Sequence, residues 1–316
     1  MVIFMMMATV QPTTAQSVTG SSSLSDAGSL NRSITSSRTI PTTRAPEGGS
    51  RILVFGDSHT AGVTGLMAMD ERGCIHSPHS WPNRLREFLG LEQNDLIDAS
   101  CWGADLAEGP GLPLSDQVRH AESLGGIGTR TSDIFIQIGF NEGWSNPGLP
   151  MSRTATTCMV SPLLGCSDQA VGSGLIGDPV AVTGEAFTAR IKQMIEYLRY
   201  YAPLARIHLV GYPEIVPGWS ADMCARVGEA YIFRPGTGNL VQTFRNLRSA
   251  QRSAADQLGL DFIDLHAVTA GHSSCSPDPW LTGYIDGRGN QGLVPWHNTE
   301  FGHRVVAEEM VRAIGR

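Results

Sequence analysis

"RILVFGDSHTAG", residues 51–62, is the stretch on which the fold turns. Ile52 to Phe55 form a short apolar run that stops at Gly56-Asp57-Ser58. A run of that length, closed by turn residues, reads as a buried strand. The serine then stands where a strand turns into a helix.

The rest of the chain repeats the pattern. "NDLIDAS" (94–100), "SDIFIQIG" (132–139), "ARIHLVGYP" (205–213) and "LDFIDL" (260–265) read as further short strands. Helical spacing separates them. In "SWPNRLREFLGL" (80–91) it falls on Leu85, Phe88 and Leu89. In "GEAFTARIKQMIEYLRYYA" (184–202) it falls on Phe187, Ile191, Met194, Ile195 and Leu198. Residues 239–259 and 298–315 read as two more helices. Strands alternating with helices imply right-handed crossovers and a parallel sheet covered on both faces. Ligands of such sheets sit at the carboxyl ends of the strands. The Gly/Pro/Ser-rich stretches 143–183 and 213–240 read as long loops, with Cys158, Cys166 and Cys224 in place to staple them.

The chain has 316 residues, with 23 Lys+Arg against 30 Asp+Glu and a net charge of -7. That balance argues against a nucleic-acid surface, which needs a basic patch. No apolar run after the N-terminus is long enough for a membrane span. Residues 1–16, "MVIFMMMATVQPTTAQ", resemble the core and cleavage end of a signal peptide without its positive start. Residues 17–50 are rich in Ser and Thr and read as a disordered linker. The folded domain is placed at 51–316. Cys74, Cys101, Cys158, Cys166, Cys224 and Cys275 make an even set without CxxC spacing. In an exported chain such a set favours disulfides over a metal site, with about 15 pairings open. Export and a monomeric state are the expectations.

Four residues at strand ends can do chemistry. Ser58 can present a nucleophilic hydroxyl and a free N–H; Asp57 and Ser58 serve equally well as caps of the next helix. Gly103 in "ASCWGADL" and Asn141 in "QIGFNEG" each follow a strand and can donate a hydrogen bond, or act as plain turn and cap residues. His297 in "VPWHNTEFGH" just precedes the last helix and can serve as base. His303 lies within that helix and reads as packed or capping. His59 adjoins the serine, with its side chain expected to point elsewhere. His76 and His79, in "HSPH", lack further metal ligands and read as surface or structural. What favours chemistry is that Ser58, Gly103, Asn141 and His297 can all converge at one sheet edge.

These blocks resemble the GDSL, or SGNH, hydrolase family, named for its Ser, Gly, Asn and His. Glu142 stands where the family usually has Asp, and Asn298 where it usually has Pro. "CIHSPHSWPNRL", "SCWGAD", "LVGYPEIVP" and "TAGHSSCSPDPWL" look like its secreted esterase and lipase branch. The resemblance implies a flavodoxin-like three-layer α/β/α sandwich without cofactor. It also implies disulfides Cys74–Cys101, Cys158–Cys166 and Cys224–Cys275. The expected activity is hydrolysis of small-molecule or lipid esters, with Ser58 N, Gly103 N and Asn141 holding the oxyanion. The family usually places Asp three residues before the catalytic His, and Val294 stands there. The branch uses a main-chain carbonyl instead, so the Val294 carbonyl is the expected partner of His297, with Asp286 as the alternative carboxylate. A polysaccharide acetyl esterase and a non-catalytic carbohydrate-binding module on the same fold are the competing readings.

Overall fold

The computed structural model describes residues 45–315 apart from 66, 108–111, 162–164, 229 and 284–293. The leader-like residues 1–16 and most of the linker lie outside the described residues. Residues 46–50, read as the end of the linker, are already tied down. Thr129 N donates to Pro46 O, Arg130 N to Gly48 O, and Ser50 N to Gly126 O. The folded domain therefore includes residues ahead of Arg51.

Strand β1 (Ile52–Gly56) leads into the one-turn helix α1 (Ser58–Ala61). A two-residue pair, β2 (Ala68–Met69) and β3 (Ile75–His76), comes next, then α2 (Trp81–Leu89), β4 (Leu96–Asp98) and α3 (Leu114–Ser123). After β5 (Asp133–Gln137) come α4 (Met151–Val160), α5 (Asp168–Gly172) and α6 (Gly184–Tyr201). Next are β6 (Arg206–Val210), the hairpin β7 (Met223–Val227) and β8 (Ala230–Arg234), and α7 (Gly238–Leu258). The described chain closes with β9 (Asp261–Ile263), α8 (Leu265–Val268) and α9 (Glu300–Ile314).

The main sheet is parallel throughout, in the order β4-β1-β5-β6-β9. The order reverses beside β1, the crevice where open α/β sheets place their ligands. Alternation along β1 supplies both cores. Ile52 and Val54 face α2 and α9, with Phe135, Val210 and Ile263. Leu53 and Phe55 face α3, α6 and α7, with Ile134, Ile136 and Leu209. The result is a three-layer α/β/α sandwich. Helix α6 shows why it forms. Thr183 Oγ1 caps Ala186 N, and Phe187, Ile191, Ile195 and Leu198 recur on its buried face. Phe88, one of the positions at helical spacing on α2, is exposed; Trp81 and Leu85 anchor that helix.

The stretches expected as long loops carry structure. Residues 143–183 contain α4, α5 and a 3-10 turn, Pro179–Ala181. Residues 213–240 contain the β7–β8 hairpin. Disulfides join Cys158 to Cys166, Cys224 to Cys275 and Cys74 to Cys101, the pairing that the resemblance implies. The cystines fasten these short elements, which have little apolar periodicity of their own to reveal them.

Candidate active site

Gly56 is required where β1 ends. A Cβ there would run into Thr60 and stand 2.8 Å from the Gln137 carbonyl oxygen. Asp57 then caps α1, accepting from His59 N at 2.9 Å through Oδ1 and from the Tyr212 hydroxyl at 2.6 Å through Oδ2. Burial raises its pKa to about 7, while these hydrogen bonds pull it down. Capping thus falls to Asp57. The Ser58 side chain is left for His297: Oγ lies 2.8 Å from Nε2. Ser58 is the first residue of α1, so its N–H is among those a helix leaves unpaired.

His297 is held by a local loop. Its N–H donates to Thr282 Oγ1 at 3.1 Å, and its carbonyl accepts from Thr282 N at 2.7 Å. Nδ1 lies 2.9 Å from the carbonyl oxygen of Pro295. A carbonyl can only accept, so Nδ1 carries the proton and Nε2 presents its lone pair to Ser58. The expected acceptor, the Val294 carbonyl, is engaged elsewhere, by the Thr282 hydroxyl at 2.8 Å. The cause is the backbone of Trp296. Its φ of 65 is the single positive value at a non-glycine among the described residues, and it turns the Pro295 carbonyl back toward the ring. Asp286, the alternative partner, lies outside the described residues. Burial lowers the His297 pKa to about 4, opposed by the Pro295 carbonyl. Asn298, next in the chain, is buried and bridged to Leu281.

Gly103 and Asn141 meet around one turn. Cys101 N donates to Gly56 O at 3.0 Å, and the Trp102 indole donates to Gly62 O at 2.8 Å. The turn after β4 is thereby fixed to both ends of the serine turn. Gly103 has φ +71 with open space where a Cβ would go; conformation rather than crowding calls for glycine. Asn141 Nδ2 donates to Ala104 O at 3.1 Å, which leaves its second N–H available. Glu142, a departure from the family pattern, is wholly buried. Its carboxylate accepts from Leu106 N at 2.8 Å, Ala107 N at 3.2 Å and Arg190 Nε at 2.9 Å.

His76, His79, His303 and His59 fall into two groups. His76 sits between Asp98 (3.4 Å) and Asp70 (3.7 Å), and His79 lies 3.2 Å from Glu300. His303 is buried and accepts from Trp81 N at 3.2 Å. His59, expected to point away, stacks on His297, with ring centroids 4.1 Å apart and 17° between planes. Nothing in the sequence signals that contact, the Glu142 brace or the Pro295 carbonyl. Among the described residues, no group of three or more His, Cys, Asp or Glu could hold a metal ion.

Residues 54–305 match the GDSL-like Lipase/Acylhydrolase family. The chain is similar to Lipase 2 of Streptomyces coelicolor, 25% identical over 282 residues, covering 83% of this chain and 85% of the relative. It is similar to an esterase of Streptomyces scabiei, 26% identical over 313 residues, with 85% and 87% covered. Among solved structures, the extracellular lipase of Streptomyces rimosus has the same fold, with TM-score 0.61, 19% identity, and 84% of this chain and 100% of that one covered. Phospholipase A1 of Streptomyces albidoflavus has TM-score 0.60 at 19% identity, with 84% and 99% covered. With its parallel sheet and the serine turn at the reversal of strand order, the chain belongs to the GDSL-like lipase/acylhydrolase family and is a carboxylic ester hydrolase.

Proposed function

We propose that this esterase or lipase is secreted and works through a Ser58–His297 dyad by way of an acyl-enzyme. The carrying observation is the relay from Ser58 Oγ to His297 Nε2, and from Nδ1 to the Pro295 carbonyl. His297 takes the Ser58 proton as Oγ attacks the ester carbonyl. The N–H groups of Ser58 and Gly103 and the free N–H of Asn141 hold the oxyanion. His297 returns the proton to the leaving alcohol, and water then releases the acid. The three disulfides and the leader-like N-terminus support export, as does the fold shared with a lipase described as extracellular.

The test is hydrolysis of p-nitrophenyl esters of increasing acyl length by wild type and Ser58→Ala. Turnover that vanishes in the variant supports the reading, and the chain-length optimum separates a lipase from an acetyl esterase. Turnover that survives in the variant removes Ser58 from the reaction.

A further inference from the structure

His59 is fully buried, and neither ring nitrogen has a hydrogen-bond partner among the described residues. Burying an imidazole in that way costs free energy that an aliphatic side chain would not. The ring lies nearly parallel to His297, and Phe140 and Tyr212 flank it with centroids at 4.9 Å each. Phe140 also presents an edge-on ring to His297 at 6.4 Å. The base of the dyad therefore rests on a flat ring that is itself walled by aromatic neighbours.

We propose that His59 is a positioning residue for His297. Its ring fixes the plane of the catalytic imidazole and offers a neutral π face to the imidazolium formed when Ser58 gives up its proton. The inference rests on the Ser58–His297 reading above. With a carbonyl rather than a carboxylate on Nδ1, the imidazolium lacks an oppositely charged partner. A π face parallel to the cationic ring supplies part of that stabilisation. It does so only while His59 is uncharged, and burial holds its pKa well below the ordinary value, with His297 and His303 pushing the same way. Among the described residues, the further ionisable groups in contact with His59 are Asp57 and Tyr212, which are hydrogen-bonded to each other.

The experiment compares wild type, His59→Leu and His59→Phe. The readouts are kcat and KM on p-nitrophenyl butyrate, and the His297 titration followed by NMR in the diethylphosphoryl adduct of Ser58. His59→Leu should lower kcat roughly tenfold with KM unchanged. It should also lower the His297 pKa in the adduct by about one unit, since tenfold corresponds to one unit. His59→Phe, which restores a flat ring, should recover most of both losses. Equal losses in the two variants, or a wild-type His297 titration in the Leu variant, overturn the proposal. If the Leu variant does not fold, wild type decides: His59 must stay neutral over the pH range in which activity develops, and a His59 that takes up a proton there overturns it. A serine that forms no adduct, or a Ser58→Ala variant that still turns over, overturns the dyad reading itself.

Discussion

The carboxylate of Glu142 lies 2.9 Å from Arg190 Nε and, on its other oxygen, accepts the backbone N–H groups of Leu106 and Ala107. One side chain thus braces the turn that carries Gly103 against helix α6. Glu142→Ala breaks this buried ion pair, at an expected cost of about 3 kcal/mol. Glu142→Gln keeps one acceptor oxygen and should lose less. Urea unfolding midpoints of the three proteins check the order. Turnover should fall along with stability, because the braced turn leads to Ala104, the partner of Asn141.

Asn141→Ala removes a candidate oxyanion donor and leaves the Ala104 carbonyl without the Asn141 amide. By the scale of other oxyanion donors, kcat should drop about 10²–10³-fold with KM changed only a few-fold. Steady-state kinetics beside Ser58→Ala check it. Near-full turnover in Asn141→Ala would take this residue out of the oxyanion hole.

Acid should inactivate late. His297 must be neutral to act as base, and burial lowers its pKa from the ordinary 6.5 to about 4. The acid limb of kcat/KM should therefore lie near pH 4, with a plateau across neutral pH. Stability has a linked sign. Between pH 6.5 and 4 the unfolded histidine holds a proton that the folded one lacks. This contribution, present above 6.5, is lost as pH falls, at up to about 1.4 kcal/mol per pH unit. Asp57 runs the other way: its folded value of about 7 exceeds the ordinary 3.8. Its contribution is full below about 4 and is lost as pH rises through 7. A pH-rate profile tests the first, and urea melts between pH 4 and 8 of wild type beside Asp57→Asn separate two slopes that oppose each other between about pH 4 and 6.5.

The disulfides should rank by the loop each closes. Separations are 51 residues for Cys224–Cys275, 27 for Cys74–Cys101 and 8 for Cys158–Cys166. Chain entropy gives about 4, about 3.5 and about 2.5 kcal/mol in that order. Paired Cys→Ser variants, followed by thermal unfolding, test the ranking. Loss of Cys74–Cys101 should also depress turnover, since Cys101 is two residues from Gly103.

The sheet was legible because its strands are buried on both faces and so appear as short apolar runs such as Ile52–Phe55. Ser58, Gly103, Asn141 and His297 stood out because each ends a strand or precedes the last helix. The hairpin at 223–234 did not stand out, since a stapled two-stranded ribbon needs no apolar run. The acceptor on His297 was misplaced by one residue, Val294 for Pro295. That difference depends on the left-handed turn at Trp296, which an aromatic residue gives no reason to expect. The direction of the His59 ring was hidden for a similar reason: a one-turn helix sets it, and periodicity does not report on a single turn.

The contact between Pro295 and His297 spans two residues and ends on a peptide oxygen. Every amino acid supplies that oxygen, so no single codon change at position 295 can delete it. In an enzyme whose histidine leans on an aspartate, one mutation removes the partner. Here the vulnerable element is the left-handed turn at Trp296, which lineages can preserve while the side chains around it drift.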